Sequence, residues 1–284
     1  MSAAGERVDP GRVDPEPVTR VALTIAGSDS GGGAGIQADL KAFARCGVHG
    51  ACAITAITAQ NTVGVTAIHP VPAEIVLAQV RAVLADIRVD AVKVGMLGTA
   101  PVTLAVACAL DELPADTPVV VDPVMVAESG ARLLDPDAQR ALVEEILPRA
   151  TVLTPNLPEA RVLAGRPPEI AEEGEEAEAL ARAVLALGPR AVILTGGHRA
   201  RAADLLLDSR DGKGGGGREG GEDGDGFRGG SVVEIEGVRH PDGAAHGSGC
   251  THSSVLAAQL ALGRPLLEAA RAARAVAGEA VANG

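Results

Sequence analysis

Short apolar runs alternate with longer amphipathic segments along most of the chain. Each run ends at a glycine or a polar residue, which is typical of strands, and we predict strands at 21–26, 48–58, 65–69, 91–94, 118–121, 151–153 and 191–194. Between them, apolar residues at helical spacing predict helices at 36–46, 72–87, 101–110, 136–147, 157–163 and 177–187. This alternation predicts an α/β fold, with a mainly parallel central sheet covered by helices on both faces.

The pattern changes after residue 200. Two successive strands, at 203–207 and 231–236, predict an antiparallel pair, and helices follow at 250–262 and from 265 onward. The segment 209–230 between these strands is half glycine and otherwise mostly polar, so we predict a flexible loop. Residues 1–19 carry charges and prolines without an apolar pattern, so we expect a disordered tail there and a single domain over 20–284.

The composition narrows the class of protein. Hydrophobic residues make up 46% of the 284 positions, and with no Tyr, no Trp and two Phe the core is expected to consist of Ala, Val, Leu and Ile. A net charge of −12 without a basic cluster argues against binding to nucleic acid or to an anionic membrane surface. The four cysteines form no C-x-x-C pair and no run of ~18 apolar residues occurs, so we expect a cytoplasmic protein with reduced thiols and no membrane span.

Polar residues and glycines gather where the predicted strands end. In an open α/β sheet, ligands bind beyond the carboxyl ends of the strands, so these residues are the candidates for a site. They are Gly27, Asp29, Thr58, Gln60, Met96, Asp122, Asn156 and Thr195. The glycines at 31–35 match neither the dinucleotide fingerprint nor the Walker loop, which leaves close approach to a small ligand or tight helix packing as the two interpretations.

A second glycine-rich turn stands before the helix predicted at 250–262. Gly247 and Gly249 alternate with a serine, and the free N–H groups at a helix start are suited to an anion. Cys250 falls in the first helical turn, where we expect a thiol to lose its proton easily. The alternative is an ordinary turn with Cys250 as a small core residue.

Asp122, Asn156 and Glu159 offer oxygen atoms at neighbouring strand ends. Such oxygens are ligands that Mg²⁺ prefers, either directly or through water. The alternative for Asn156 and Glu159 is a helix N-cap, since Glu stands three residues after Asn.

Taken together, these segments resemble the hydroxymethylpyrimidine/phosphomethylpyrimidine kinases of thiamine biosynthesis, in the ribokinase-like superfamily. The matching segments are AGSDSGGGAGIQADLK at 26–41, AQNT at 59–62, KVGML at 93–97, DPVM at 122–125, TPNLPEA at 154–160, GGH at 196–198 and HGSGCT at 246–251. The resemblance implies a ribokinase-like three-layer sandwich. It also implies ATP-dependent phosphorylation of 4-amino-5-hydroxymethyl-2-methylpyrimidine and of its monophosphate, and a homodimer.

The resemblance also implies roles for individual residues. The implied pyrimidine-binding residues are Gly27, Asp39, Thr58, Gln60 and Met96. The implied contacts to ATP are Asn156, Glu159, Thr195 and Ser248, and the implied Mg²⁺ ligands are Asp122 and Glu159. Gly247 and Gly249 would belong to an anion hole, with Cys250 where related sugar kinases carry an aspartate base.

Two other functions are compatible with these residues. A pyridoxal or pyridoxine kinase would act on a similar ring and hydroxymethyl group, although the pyridoxal branch often carries Asp at the position of Cys250. A catalytically weakened pyrimidine-binding homologue is suggested by Thr195, which stands where many family members carry Lys.

Overall fold

The structure is a computed structural model that describes residues 19–126, 130, 133–167, 175–196, 203–210, 230–238, 240 and 246–283. All but the last residue of the tail predicted at 1–19 and most of the loop predicted at 209–230 lie outside the described residues. Gly197 and His198 of the GGH segment lie outside them as well.

Ten strands and eight helices follow in the predicted order through the described residues. The strands are β1 (Val21–Ala26), β2 (His49–Ile54), β3 (Ala56–Gln60), β4 (Val65–Pro70), β5 (Ala91–Val94), β6 (Val119–Val121), β7 (Val152–Leu153), β8 (Ala191–Leu194), β9 (Ala203–Asp208) and β10 (Val232–Glu236). The helices are α1 (Gly35–Arg45), α2 (Ala73–Leu84), α3 (Ala100–Asp111), α4 (Pro136–Ala141), α5 (Leu157–Leu163), α6 (Glu175–Leu185), α7 (Ser248–Ala261) and α8 (Leu266–Asn283).

Eight strands form one sheet in the order β10-β9-β8-β7-β6-β5-β1-β2, and β3 and β4 form a separate hairpin. All neighbours from β2 to β8 are parallel, and β9 runs antiparallel to both of its neighbours. The predicted parallel sheet and antiparallel pair are therefore confirmed. Because β1 lies between β2 and β5, the strand order reverses there, and a crevice opens beyond the carboxyl ends of β1 and β5.

Helices cover both faces of the sheet, which gives three layers. One core is formed by residues of α2 to α6 against one face, such as Val80, Val106 and Leu180. The other is formed by α1, α7 and α8 and contains Phe43, Leu256 and Ala270. As expected from the composition, aliphatic side chains dominate both cores.

The strand predicted at 48–58 is wrong as a single buried element. The chain leaves the main sheet at Thr55, whose hydroxyl donates to Met96 O at 2.6 Å, and β3 then pairs with β4 instead. β2 is only partly buried, and alternate residues of β3 are exposed. The apolar run hid this break because both strands use the same residue types.

The helix predicted at 136–147 is also not uniform. It begins as α4 at Pro136, widens over Leu142–Ile146, and ends in a tighter turn over Leu147–Arg149. Pro148 has no N–H group with which to continue an α-helix, which fits the end of the element there.

Candidate active site

The two glycine-rich segments predicted from the sequence meet at the crevice. Gly247 has a φ angle of +76°, and a Cβ atom there would overlap Gly33 O. Gly35 has a φ angle of +57°, and a Cβ atom there would overlap Gly27 O. Glycine at these positions therefore allows the loop after β1 to pack directly against the start of α7.

Asp29 fixes the shape of the first loop. Its carboxylate accepts hydrogen bonds from the amides of Gly31 at 2.8 Å, Gly33 at 3.0 Å and Ala34 at 2.8 Å. His246 Nε2 lies 3.1 Å from the same carboxylate, which connects the loop to the residue before Gly247. Burial raises the pKa of Asp29, but the hydrogen bonds from His246 and the loop amides outweigh it, so the net pKa is lowered.

Cys250 lies in the first turn of α7, as predicted, but its thiol is not acidic. Burial raises the pKa of Cys250 to about 12, and the carboxylates of Asp122 and Asp39 act in the same direction. Lys93 and the amide of Gly35 lower the pKa by less than this. The expectation of an easily deprotonated thiol is therefore wrong, because desolvation outweighs the helix start.

The carboxyl end of β6 also lies next to the first turn of α7. Asp122 follows β6 and accepts a hydrogen bond of 3.0 Å from Ser253 Oγ on α7. Its Oδ2 atom would lie 3.9 Å from a Cβ atom on Gly249, so the carboxylate borders the amide-lined start of the helix. Ser248 is the first residue of that helix and is partly exposed.

Asn156 and Glu159 form the predicted N-cap of α5. Glu159 N donates to Asn156 Oδ1 and Asn156 N donates to Glu159 Oε2, both at 2.9 Å. The capping interpretation is therefore confirmed. Beside them, Thr195 at the end of β8 forms a parallel bridge with Asn156, and its amide donates to Pro155 O at 2.9 Å.

Two carboxyl groups in this region, those of Asp122 and Glu159, are the candidates for holding a cation. Burial and, to a smaller extent, the charge of Asp122 together raise the pKa of Glu159 to about 8. Burial also raises the pKa of Asp122, against the effect of Lys93 and Ser253. Two desolvated, mutually repelling carboxylates fit Mg²⁺, which commonly takes one or two carboxylates and completes its shell with waters and phosphate oxygens. Within the described residues, no three His, Cys, Asp or Glu side chains converge as a metal site.

The predicted pyrimidine-side residues lie together at the β1 side of the crevice. Thr58 Oγ1 donates to Ser28 O at 2.7 Å and lies 3.2 Å from Gln60 Oε1. Met96 packs against Gly27, where a Cβ atom would overlap the methionine methyl group. The structure therefore brings Gly27, Thr58, Gln60 and Met96 onto one wall.

Asp39 does not lie on this wall. Its carboxylate is fully buried and bonds to Lys93 Nζ at 3.0 Å, Thr24 Oγ1 at 2.6 Å and Ser254 Oγ at 2.6 Å. These partners lie inside the protein, so the structure assigns Asp39 to an internal ion pair rather than to the crevice surface. The role in pyrimidine binding that the resemblance implied for Asp39 is therefore not reproduced.

Lys93 is the important residue to which the sequence argument gave no role. It is fully buried in the middle of β5, and its side chain borders Gly95 and Asp39. Burial lowers the pKa of Lys93, but the charges of Asp39 and Asp122 outweigh burial and raise it above the ordinary value, so the amine stays charged. A lysine inside the apolar run Ala91–Val94 was the available signal.

The fold and the site together define an α/β phosphotransferase with an acceptor crevice beside an amide-lined helix start. The family model described as phosphomethylpyrimidine kinase matches residues 29–284. A hydroxymethylpyrimidine/phosphomethylpyrimidine kinase from Rhizobium meliloti (strain 1021) is 48% identical over 262 residues, which cover 91% of this chain and 89% of that one. The chain therefore belongs to the phosphomethylpyrimidine kinase family, and it is a kinase.

Solved structures agree with this assignment. The phosphomethylpyrimidine kinase from Clostridium difficile 630 matches with a TM-score of 0.75 and 35% identity, over 93% of this chain and 100% of that one. The pyridoxal kinase from Staphylococcus aureus, in complex with AMP-PCP and pyridoxal, matches with a TM-score of 0.78 and 30% identity, over 94% and 90% of the two chains. The ribokinase-like three-layer architecture is thereby confirmed. Among the described helices, none is both long and apolar enough to cross a membrane.

Proposed function

We propose that this chain transfers the γ-phosphate of ATP to the hydroxymethyl group of 4-amino-5-hydroxymethyl-2-methylpyrimidine, and then phosphorylates the monophosphate. The observation that carries the proposal is the contact between Gly247 and Gly33. It joins the N-terminus of α7 to the loop beside the wall that contains Gln60, which we call the Gln60 wall. This contact supports the proposal, because a phosphoryl group bound at the helix start would lie next to an acceptor bound in the crevice.

The pyrimidine is bound by the wall formed by Gly27, Thr58, Gln60 and Met96. An aminopyrimidine edge carries both donors and acceptors, and the amide of Gln60 offers both in return. The backbone of Gln60 is held in place, because its N–H group donates to Ser30 Oγ at 2.8 Å and the Ser30 hydroxyl donates to the Gln60 carbonyl oxygen at 2.6 Å. Met96 packs against one side of the ring site.

The phosphates are bound where the ends of β6, β7 and β8 approach the start of α7. The free amides of Ser248, Gly249 and Cys250 favour the transferred phosphoryl group. Asp122 and Glu159 would hold Mg²⁺, which would supply positive charge against the phosphates, while Asn156 and Thr195 line the same side. The nucleoside has a candidate site in the cleft of about 480 Å³ between β10 and α8.

Cys250 takes the proton of the attacking alcohol. Because its resting thiol is protonated, Cys250 first releases that proton to solvent water, and the resulting thiolate then accepts the proton of the alcohol, so that the neutral thiol is restored as transfer ends. Lys93, whose charge lowers the pKa of Cys250, stabilises the thiolate when it forms.

Pyridoxal is the second candidate substrate, favoured by the structural match to a pyridoxal kinase complexed with pyridoxal. The test is to incubate the purified chain with Mg-ATP and each candidate and to follow phosphorylated product by mass spectrometry. We expect mono- and diphosphate from hydroxymethylpyrimidine. Absence of both products, with active protein confirmed by nucleotide binding, would contradict the proposal and favour the weakened binding homologue.

A further inference from the structure

A buried ionic cluster lies behind the start of α7 and has no role in the mechanism above. Asp204 on β9 is fully buried and faces His252 on α7 and Arg274 on α8. His252 Nε2 lies 3.1 Å from Asp204 Oδ2, and Arg274 Nη1 lies 3.7 Å from Asp204 Oδ1. Charged groups this deep in an aliphatic core are costly, so their arrangement calls for a functional explanation.

Asp204 also reaches the end of β8. The amide of Gly196 donates to Asp204 Oδ1 at 2.9 Å, and Gly196 directly follows Thr195 on the proposed phosphate side. One carboxylate therefore connects the residue after β8 to the second turn of α7. The first turn of the same helix forms the amide-lined site.

Arg274 extends this cluster to the cleft between β10 and α8. The cleft is lined by Arg274 together with Ile235, Gly237, Val238 and Arg271. A Cβ atom on Gly237 would overlap the Arg274 guanidinium, so the arginine is packed beneath the end of β10. Asp204 thus supplies the counter-charge for a wall of the cleft.

The carboxylate of Asp204 is ionised. Burial raises its pKa, but the imidazole of His252 at 3.1 Å, the charge of Arg274 and the amide of Gly196 outweigh that effect and lower it. The groups that face Asp204 are therefore held by a full negative charge.

We propose that Asp204 is a positioning residue for the adenine nucleotide. It holds the Gly196 amide, α7 and Arg274 in one arrangement, so that the cleft and the phosphate site are shaped before the nucleotide binds. The identity of that nucleotide as ATP or ADP rests on the proposed function.

Asp204 is far from the pyrimidine wall. β9 is separated from β1 by five strand spacings, which corresponds to about 24 Å at ~4.8 Å per strand. Loss of its charge is therefore expected to weaken nucleotide binding and to leave pyrimidine binding unchanged. A residue that only stabilises the fold would lower the melting temperature without this selectivity.

The test is calorimetric binding of Mg-ADP and, separately, of hydroxymethylpyrimidine to Asp204→Asn. Asp208→Asn is the matched control, because Asp208 lies on the same strand and the same face, four residues on, and is also buried and bonded to an arginine. We expect Asp204→Asn to raise the Kd for ADP roughly threefold to tenfold, the range for weakening one charged hydrogen bond. The Kd for the pyrimidine and both values for Asp208→Asn should match those of the wild type.

Unchanged ADP affinity in a folded Asp204→Asn, or an equal loss for both ligands, would overturn the proposal. A second pair of variants decides the matter if Asp204→Asn does not fold: His252→Leu removes the polar side chain that lies 3.1 Å from Asp204, whereas His252→Gln keeps a side-chain N–H group there. We expect weakened ADP binding in His252→Leu and recovery in His252→Gln, and equal ADP affinity in both would overturn the proposal.

The binding test separates this proposal from the proposed function. Wild-type protein that binds ADP but phosphorylates no pyrimidine would contradict the function and leave the Asp204 comparison valid. Active wild type with unaffected ADP binding in Asp204→Asn would contradict the role of Asp204 alone. Wild-type protein that binds no ADP would overturn both.

Discussion

At Cys250, two effects on one thiol oppose each other. The start of α7 favours a thiolate, whereas burial and the nearby carboxylates of Asp122 and Asp39 favour the protonated thiol and raise its pKa to about 12. The same competition acts at Glu159, where burial raises the pKa although two backbone amides bond to the carboxylate. The side chains proposed for proton and metal chemistry are thus held away from their ordinary ionisation states, as is common at functional sites.

We predict that Cys250→Ala lowers kcat by roughly 10²- to 10⁴-fold, the usual contribution of a general base, while KM for the pyrimidine stays nearly constant. Steady-state kinetics with varied pyrimidine at saturating Mg-ATP measures both quantities. Cys108→Ala, at an exposed cysteine on α3, should keep the wild-type kcat. Normal turnover in Cys250→Ala would show that the proton leaves by another route.

We predict that Glu159→Gln changes the pH dependence of stability. The pKa of Glu159 is about 8 in the folded chain against an ordinary 4.5, so the folded state keeps a proton that the unfolded state releases. Wild-type stability without metal therefore falls as the pH rises from 4.5 through 8, and Glu159→Gln should gain melting temperature relative to wild type over that window.

Thermal melts in chelator from pH 5 to 9 test this prediction about Glu159, and added Mg²⁺ should stabilise the wild type more than the variant. Glu112→Gln serves as the control, because Arg81 lowers the pKa of Glu112 and no such gain is expected there. Parallel pH curves for wild type and Glu159→Gln would refute the raised pKa.

At the scale of elements, the site depends on how two glycine-rich loops bring helices and strands together. The loop after β1 is shaped by Asp29, and its Gly33 lies against Gly247 at the start of α7. Neither segment forms the crevice alone. The elements that carry the proposed phosphate side and the proposed pyrimidine side therefore meet where a glycine of one segment packs against a glycine of the other.

Gly247→Ala should abolish phosphoryl transfer and destabilise the fold, because a Cβ atom there overlaps Gly33 O. Gly263→Ala is the matched control, since Gly263 has nearly the same φ angle of +78° but open space around it. We expect the control to lose about 1 kcal/mol of unfolding free energy from its left-handed backbone and to keep its kcat. Equal kinetic effects of the two substitutions would argue against the junction.

The buried ion pair of Lys93 and Asp39 is a second contact between elements, and it joins β5 to α1. Lys93→Met leaves Asp39 buried without its main counter-charge, and we predict a loss of about 3–5 kcal/mol of unfolding free energy by urea denaturation. Adding Asp39→Asn to Lys93→Met should restore part of it. Arg45→Met, which breaks an exposed pair with Glu279, should cost no more than about 1 kcal/mol. A small effect of Lys93→Met would mean that the pair is not a structural link.

Elements whose residues signal their own boundaries were predictable. The helix Leu157–Leu163 and the strand Ala191–Leu194 were predicted with their observed ends, because capping or turn-forming residues stand at their boundaries. The break at Thr55 was not, because it depends on a hydrogen bond to Met96 O, 41 residues away in the chain. The same reason applies to Asp39 on α1, whose burial depends on its ion pair with Lys93 on β5. It also applies to the thiol of Cys250, whose pKa depends on residues of three other elements.

For the whole molecule, the reversal of strand order at β1 decides where the reaction takes place. The Gln60 wall lies on the β1 side, and Asp122, Asn156 and Thr195 follow β6, β7 and β8 along the same edge. The proposed acceptor side and the proposed phosphate side thus lie at different strands of the sheet, and α7 begins between them. Such a division predicts that acceptor choice depends on the β1 side alone.

The most direct measurement is a competition assay with equimolar hydroxymethylpyrimidine and pyridoxal in one reaction with Mg-ATP, comparing kcat/KM for the wild type and for Gln60→Ala. We predict that the wild type prefers the pyrimidine and that Gln60→Ala lowers kcat/KM for the pyrimidine by roughly tenfold or more through KM, as expected for a lost polar contact, with the KM for ATP unchanged. Preference for pyridoxal in the wild type, or a Gln60→Ala variant that loses ATP affinity instead, would contradict the account.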